Sequence, residues 1–516
     1  MNVTGWLGEG AGVADVVVVG GGSAGCVLAA RLSEDADRRV TLLEAGPDLA
    51  RLTDVPADVL DASMPTEAHD WAYVAEPDRS GRRLALPRGR IIGGCSSTNG
   101  CFALRGAPAV YDEWARSGNP GWSFEEVLPF FRRLEADGDF DDEWHGGDGP
   151  IPIRRHPPAE RNAVQAAFID AARSYGLPYV DDHNRPGALG VGPTPRNARE
   201  GVRMSTSLTY LASARGRPNL TVRGGAMVDR VEVRGGAARG VRLVGGEVVA
   251  ADQVVLAAGA YASPAILQRS GIGPAGQLGA LGVDVVADLP GVGDNLIDHP
   301  LVAVDLPTRH VVSGPRFQSI ATLRSQLAPA AEGPDLHLFA AGPFGVSRDV
   351  SPTGGVFGLV TGIVLPLSRG WVRLRSADPQ DPPRIDVAHL RHPDDMRRMI
   401  EATLIARAIS RTAPLSGLIE GAELAPGPSI PDDDTDAIAA SIARRVSSYH
   451  HPVGTCRMGA DPDDGAVVDA RGRVHGIEHL LVADASIMPT IPSGNTNLPT
   501  IMVAERIASW IAQDRE

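Results

Sequence analysis

VVVVGGGSAGCVLAARLSEDADRRVTLLE, the stretch from Val16 to Glu44, decides the fold of this chain. Its four valines form the unbroken apolar run that is typical of a strand buried on both faces of a parallel sheet. Glycines with the spacing GxGxxG come next, and helix-forming residues follow as far as Leu32. A second apolar run, Val40–Leu43, ends in Glu44. Strand, glycine turn, helix, strand and acid in this order predict a dinucleotide-binding βαβ unit.

The glycines of this unit are Gly20, Gly22 and Gly25. They allow the tight turn, let a pyrophosphate approach the backbone, and let the helix pack closely on the sheet. The helix N-terminus offers unpaired N–H groups and the positive end of its dipole to phosphates. Glu44 can accept hydrogen bonds from a ribose diol, and its charge should repel a 2′-phosphate. The motif alone leaves both FAD and NAD open.

Length and composition exclude several classes of protein. The 516 residues are 43% hydrophobic and 22% charged, which is typical of a globular chain of two or more domains. A net charge of −14 without a basic block argues against a nucleic-acid partner, and no apolar tract is long enough to span a bilayer. The stretch 1–15 lacks the features of a secretory signal, and the four cysteines show no disulfide or zinc spacing. We therefore expect a reduced, cytoplasmic protein.

Strand–glycine patterns like the opening one recur near residues 254 and 480, and we expect all three to share one sheet. The domain that binds the dinucleotide is then discontinuous, and we assign it to 12–50, 85–158, 215–300 and 455–516. The segments 159–214 and 301–454 are assigned to a substrate-binding domain of sheet and helices. The polar, aromatic segment 51–84 is an excursion, either a lid over the site or a surface loop. The predicted fold class is α/β with a Rossmann-like first domain.

Four further blocks resemble the signatures of one enzyme family. The loop Gly89–Ser96 reads GRIIGGCS and is followed by Asn99, while Gly259–Gly273 matches a second signature. His451–Gly459 reads HPVGTCRMG, and Val482–Ser486 reads VADAS. Over nearly its whole length the chain resembles the glucose–methanol–choline (GMC) oxidoreductases, FAD-dependent enzymes that act on alcohols. The branches that look most similar are the choline dehydrogenase-like proteins and the aryl- or furan-alcohol oxidases.

The resemblance implies FAD as the cofactor and a small-molecule alcohol as the substrate. The sequence is consistent with FAD as the only dinucleotide. An enzyme that also used NAD(P)H would need a second GxGxxG motif, and the one candidate, Gly291–Asp294, lacks the third glycine. Some choline-oxidising relatives attach FAD covalently through a histidine at the position of Thr98. Threonine cannot form that bond, so we expect FAD to be dissociable.

The resemblance also implies the catalytic residues. The family's catalytic histidine corresponds to His451, and a second position, His or Asn in different members, corresponds to Asn495. An imidazole can accept the hydroxyl proton of an alcohol as a hydride leaves the carbinol carbon. An amide can orient the substrate oxygen but cannot act as a base. A structural histidine and a turn-forming asparagine are the alternatives at these positions, and His450 is expected in the substrate wall.

The AMP half of FAD is assigned by the same register. The glycines on the pyrophosphate are Gly20, Gly22 and Gly25. Glu44 is expected on the adenosine ribose, and the backbone of Val228 is expected at the adenine.

The flavin half is assigned to a loop and to the C-terminal block. The loop residues are Arg90, Gly94 and Asn99. Asp484 and Ala485 are expected near the pyrophosphate and the ribityl chain. A helix starting near Thr500 is expected to point its N-terminal dipole at the N1–C2 edge of the flavin, where it would stabilise the anionic reduced form.

Other functions remain open at this stage. A relative of this family can use FAD for lyase or decarboxylase work without net alcohol oxidation, or act as a silent flavoprotein that only binds a partner. The electron acceptor is oxygen, a quinone or another oxidant. We find no carboxylate to place against a quaternary ammonium group, so choline is not the favoured substrate.

Overall fold

A computed structural model describes residues 13–328 and 333–514 of the chain. Most of the N-terminal stretch on which the secretory-signal prediction rests, 1–12, lies outside the described residues. Within them, no helix is both long enough and apolar enough to cross a membrane.

The chain forms strands of two to ten residues, which are interspersed with helices. The strands of the first half are β1 Ala14–Val19, β2 Val40–Leu43, β3 Tyr73–Val74, β4 Ala85–Leu86, β5 Glu135–Asp137, β6 Ile151–Ile153, β7 Gly190–Pro193, β8 Ala198–Arg199, β9 Val202–Arg203, β10 Leu220–Arg223, β11 Val228–Arg234 and β12 Ala237–Leu243. The later strands are β13 Val248–Leu256, β14 Ile272–Gly273, β15 Ala287–Asp288, β16 Pro300–Pro307, β17 Ser319–Leu323, β18 Leu336–Gly345, β19 Gly355–Ile363, β20 Trp371–Arg373, β21 Arg384–Asp386, β22 Ser447–Ser448 and β23 Leu480–Val482.

The α-helices are α1 Ser23–Leu32, α2 Ala57–Leu60, α3 Pro108–Arg116, α4 Phe124–Leu134, α5 Ala163–Tyr175, α6 Ala212–Ala214, α7 Gly259–Arg269, α8 Ala275–Ala280, α9 Pro393–Ser410, α10 Thr435–Arg445 and α11 Asn497–Gln513. Of these helices, α1, α5, α7 and α9 contact the two large sheets directly.

The larger sheet carries the dinucleotide-binding motif, with the strand order β10-β2-β1-β13-β12-β11. β1 lies parallel to β2 on one side and to β13 on the other, and β23 lies parallel to β13. The strand order therefore reverses at β1, which makes a topological switch point at the carboxyl ends of these strands. Gly20 follows β1 and Glu44 follows β2 at this edge. The expectation that three strand–glycine patterns share one sheet is confirmed, and so is the α/β fold class with its Rossmann-like sheet.

Helices α1 and α11 lie side by side over this sheet with their N-termini together. Arg31 of α1 donates from Nε to both carboxylate oxygens of Glu505 of α11, at 2.9 and 3.0 Å. The Tyr210 hydroxyl donates to the same carboxylate at 2.6 Å. Glu505 is fully buried, and a buried carboxylate needs such partners. The pairing fixes the two helices relative to one another although 474 residues separate Arg31 from Glu505.

The second large sheet is antiparallel and has the order β22-β16-β19-β18-β17-β7. Its side chains alternate between two environments, as the period of two in a strand requires. On β18, Leu336 and Leu338 pack in one core with residues of α5, α9 and α10. Phe339 on the same strand packs on the opposite side, with Phe102 and Tyr449. The boundaries between cofactor and substrate domains stay a prediction.

The closest backbone approach in the opening motif is made by Gly25. A Cβ atom on Gly25 would lie 1.8 Å from the carbonyl oxygen of Gly20, so α1 can pack this tightly only without a side chain there. We predict that Gly25→Ala destabilises the protein by about 3 kcal/mol or more, because the turn must move. The measurement is the yield of folded protein and its denaturation temperature.

The matched control is Gly279→Ala in α8, where an added Cβ would have no atom within 4 Å. This change should leave the stability unchanged or raise it by up to about 1 kcal/mol. Equal denaturation temperatures for the two variants would contradict the assigned role of Gly25.

Candidate active site

One cavity of about 1210 Å³ extends from the carboxyl edge of the parallel sheet to the face of the antiparallel sheet. It brings together nearly all the residues predicted for the site. Those on its lining are Gly20, Gly22, Glu44, Arg90, Gly94, Thr98, Asn99, Val228, His451, Asp484, Ala485 and Asn495. Gly25 alone among the predicted residues is not on the lining, and its position beneath Gly20 suits close packing rather than ligand contact.

Two glycine loops form the floor of the cavity. A Cβ on Gly94 would lie 2.7 Å from the Cα of Gly22, so the two backbones touch. A Cβ on Gly20, which has φ +99°, would lie 2.7 Å from the carbonyl oxygen of Ala257. Side chains are therefore excluded from a surface that a flat or elongated ligand can approach closely.

Glu44 lies at the edge of this floor as a fixed acceptor. Its Oε2 accepts a hydrogen bond from the N–H of Gly21 at 2.8 Å, and its Oε1 accepts one from Gly46 at 2.7 Å. Burial raises the pKa of Glu44, while these two N–H groups act in the opposite direction. Each carboxylate oxygen retains a lone pair, so the side chain can still accept hydrogen bonds from a diol.

Asp484 ties the end of β23 to the start of α7. Its Oδ2 accepts hydrogen bonds from the N–H of Gly259 at 2.8 Å and from the hydroxyl of Ser263 at 2.6 Å. Its Oδ1 accepts one from the N–H of Ser486 at 2.7 Å. Asp484 therefore holds the cavity wall together in addition to lining it.

The N-termini of α1 and α11 both open on the cavity. Neither is capped by a side chain, and Ser23 of α1 donates to Oδ1 of Asn497 of α11 at 3.2 Å. The Asn497 amide nitrogen is buried and has no hydrogen-bond partner among the described residues. Two uncapped helix N-termini with free N–H groups favour anionic groups such as a pyrophosphate.

The other end of the cavity contains His451 and Asn495. Nδ2 of Asn495 lies 3.1 Å from Nε2 of His451, and both side chains are buried. Because an amide nitrogen only donates, Nε2 of His451 is the acceptor in this contact. Oδ1 of Asn495 is buried without a partner in the described part of the chain, so it is available to a ligand hydroxyl.

Backbone pairing places His451 at this point. β22 pairs with β16, and beyond it the N–H of His451 donates to Oδ1 of Asp298 at 2.8 Å. Burial acts to raise the pKa of Asp298, but hydrogen bonds from His389, Ser448 and this N–H hold it well below the usual range. Asp298 is thus a buried anion that anchors the backbone at His451.

The electrostatic surroundings keep His451 neutral. Burial lowers the pKa of His451 well below its usual value, and the neighbouring His299, His450 and Arg88 act in the same direction. Arg88 donates from Nη2 to the carbonyl oxygen of His450 at 2.8 Å and lines the cavity. A neutral imidazole is the state that can accept a proton.

Rings surround the rest of this end. The Tyr449 ring lies 4.4 Å from that of His451 and stacks on Phe339 at 5.5 Å. Phe339 packs edge-on against Phe102 at 5.4 Å, and Phe317 lies 5.7 Å from Phe102. Sequence reasoning missed these rings. The alternation along β18 was the available signal, but it does not show which face meets the site.

The excursion 51–84 forms part of the wall. Trp71 and Tyr73 line the cavity and stack on each other at 5.8 Å, and the Arg90 guanidinium lies 4.8 Å from the centre of the Trp71 ring. The segment therefore contributes to the wall of the cavity, while its role as a lid stays a prediction.

These features fit an FAD molecule. The side-chain-free floor, the two helix N-termini and Glu44 suit a pyrophosphate and a ribose. The cavity exceeds the range of about 300–1,000 Å³ that is typical of small-ligand pockets, and its far end carries the His451–Asn495 pair.

Comparisons with known proteins agree with this interpretation. Two family models described as GMC oxidoreductase match residues 14–301 and 366–504. An oxygen-dependent choline dehydrogenase of Photobacterium profundum is 37% identical over 96% of this chain and 92% of its own length. Pyridoxine 4-oxidase from Mesorbium loti has a TM-score of 0.89 and 36% identity, covering 97% of this chain and 99% of that one. A formate oxidase variant from Aspergillus oryzae has a TM-score of 0.87 and 26% identity, covering 98% and 99%.

The resemblance inferred from the sequence motifs is confirmed by both family models and by relatives that match nearly the whole chain. The chain belongs to the GMC oxidoreductase family and is an FAD-dependent enzyme that oxidises CH–OH donors.

Proposed function

We propose that this protein oxidises a neutral primary alcohol carrying a compact apolar or aromatic group to the aldehyde, with His451 as the base and Asn495 orienting the substrate. The observation that carries the proposal is the contact between Nε2 of His451 and the Asn495 amide at 3.1 Å, at the ring-lined end of the cavity.

His451 takes the hydroxyl proton in this mechanism. Its Nε2 accepts from the Asn495 amide at the cavity, and the alcohol hydroxyl takes the place of that amide at the Nε2 lone pair. The low pKa of His451 keeps Nε2 unprotonated at neutral pH. Proton acceptance from the alcohol at Nε2 increases the electron density on the alcohol oxygen, which assists departure of the hydride. The Arg88 guanidinium on the same wall favours the negative charge that develops there.

Asn495 supplies two hydrogen-bonding groups. Its amide nitrogen donates to Nε2 of His451 and so holds the ring with Nε2 toward the cavity. Its unpaired Oδ1 can accept from the alcohol hydroxyl before the proton is transferred. The amide cannot take the proton itself, so the pair contains one base and one orienting group.

FAD, when bound, supplies the acceptor for the hydride. We propose that Gly20, Gly22 and Glu44 hold its AMP half. The flavin half is assigned to Arg90, Gly94, Asn99, Asp484 and Ala485 together with the N-terminus of α11. Val228 is assigned to the adenine, and Gly25 supports the turn.

The ring-lined end favours uncharged substrates. The rings of Phe102, Phe317, Phe339 and Tyr449 line it, and none carries a charge. The lining carboxylates that accept no backbone hydrogen bond, Glu67 and Asp381, are exposed to solvent. A quaternary ammonium group would have cation–π contacts but no buried counter-charge. We therefore favour an uncharged alcohol over choline, the substrate named for the Photobacterium relative.

The electron acceptor is proposed to be oxygen, a quinone or another oxidant. The lyase or decarboxylase alternative does not require a base beside a hydride acceptor, and the His451–Asn495 pair favours oxidation. Reduction of the flavin by an alcohol in the absence of oxygen distinguishes the two reactions.

Anaerobic mixing of the FAD-loaded enzyme with benzyl alcohol should bleach the flavin. We predict that His451→Ala retains FAD but is reduced about 10²–10⁴-fold more slowly, the usual effect of removing an acid–base group. Stopped-flow absorbance of the flavin measures both rates. The surface variant His310→Ala is the matched control and should react like the wild type, because His310 is exposed.

Bleaching by choline but not by benzyl alcohol would overturn the proposed substrate class. The absence of bleaching by any alcohol, with product formation but without flavin reduction, would favour the lyase alternative. Near-normal reduction of His451→Ala would remove His451 from the role of base.

The pH dependence should follow the titration of His451. Since burial lowers its pKa below the usual 6.5, kcat/KM is predicted to be constant above pH 6.5 and to fall only as the pH drops below that value. The profile of kcat/KM reports groups in the free enzyme. An acidic limb with its midpoint above 6.5 would contradict a neutral, desolvated base.

FAD is predicted to be released by acid precipitation, since Thr98 occupies the position of the covalent histidine in some relatives. The absorbance of the supernatant measures free flavin. A pellet that stays yellow would show that FAD is bound covalently. The candidate for the attachment would then be Cys95, a free thiol on the cavity lining.

A further inference from the structure

We propose that His299 is a positioning residue for the oxidation, holding the His451 ring in the tautomer and orientation in which Nε2 faces the substrate. The inference rests on the proposed role of His451 as the base. His299 lies behind the cavity wall, and its Nδ1 is 2.9 Å from Nδ1 of His451.

The contact between the two rings is a hydrogen bond rather than a stack. The ring planes are nearly perpendicular, at 88°, with their centres 5.1 Å apart. His299 is fully buried, so water does not compete for either nitrogen. One Nδ1 must therefore carry a proton and donate the hydrogen bond, and the other Nδ1 must accept that hydrogen bond.

The other contacts of His451 decide the direction of this bond. Asn495 donates to its Nε2, so the single proton of the neutral ring lies on Nδ1 and is donated to His299. His299 then carries its own proton on Nε2, which is buried and has no hydrogen-bond partner among the described residues.

The opposite tautomer would be inactive. With the proton on Nε2, His451 would present a donor to the substrate hydroxyl and could accept no proton there. Burial lowers the pKa of His299 to about 4, so His299 stays neutral and remains an acceptor at neutral pH. Because His299 is neutral, it does not raise the pKa of His451, whereas a carboxylate in its place would.

Two consecutive residues hold His451 at both of its ends. Oδ1 of Asp298 accepts from its backbone N–H at 2.8 Å, and His299 accepts from its ring. The carbonyl oxygen of His299 also accepts from the N–H of Tyr449 at 2.8 Å. The backbone and the ring of His451 are therefore both held by hydrogen bonds to the segment that precedes β16, which opposes rotation of the ring away from Asn495.

A pair of similar variants tests the assignment. His299→Asn places an amide at the position of Nδ1 and keeps an acceptor for His451, whereas His299→Gln places its amide near the position of Nε2 and leaves Nδ1 of His451 without a partner. We expect His299→Gln to slow anaerobic flavin reduction by benzyl alcohol about 100-fold, with the substrate Kd and the FAD content unchanged. His299→Asn should retain most of the wild-type rate.

Several outcomes would overturn the inference. One is a wild-type rate for His299→Gln, and another is an equal loss of rate in both variants, which would indicate a packing role. Loss of FAD from both would show that His299 supports the fold rather than the tautomer. If His451→Ala is slow while His299→Gln is fast, only this inference fails; if His451→Ala is fast, the proposed function fails with it.

Discussion

The parallel pairing of β1 with β2 and with β13 is the constraint on which the rest of the structure depends. Because the strand order reverses there, the carboxyl ends of these strands leave a crevice between them. Gly20 and Glu44 follow two of these strands, and Asp484 follows β23 at the same edge. Close packing of Gly25 on Gly20 keeps α1 low enough for its N-terminus to face the crevice. The strand order and the absence of a side chain at Gly25 therefore form the crevice proposed for the dinucleotide.

The proposed catalytic pair, His451 and Asn495, is assembled by two other long-range contacts. β16 pairs with β22 and brings His451 next to Asp298 and His299, across about 150 residues of sequence. Asn495 lies just before α11, whose N-terminus is held beside α1 by Ser23 and whose body is held by the Arg31–Glu505 pair. The packing that forms the dinucleotide end of the cavity therefore also positions Asn495 against His451.

Local patterns predicted the parts of this structure that depend on local physics. Apolar runs and the glycine spacing predicted the parallel strands and their turn, because burial on both faces and close approach leave a direct mark on residue choice. The start of α11 was placed near Thr500, but it lies at Asn497, since Pro499 is tolerated in a first helical turn. The roles of His299 and of the rings around Phe339 could not be read locally. Each depends on which face of an antiparallel sheet meets another segment, and only the complete fold decides that.

The same desolvation that keeps His451, the proposed base, neutral also restricts the proposed substrate. His451 stays neutral because burial and the neighbouring Arg88 penalise a positive charge at this end of the cavity. A cationic substrate group would meet the same penalty, since Asp298, the nearest buried anion, already accepts hydrogen bonds from Ser448, His389 and the His451 N–H. An alcohol with an apolar group meets no such cost, and the negative charge that develops on its oxygen is favoured by Arg88. Base strength and substrate charge are therefore set by one electrostatic environment, and a substitution that placed a carboxylate among the rings would change both at once.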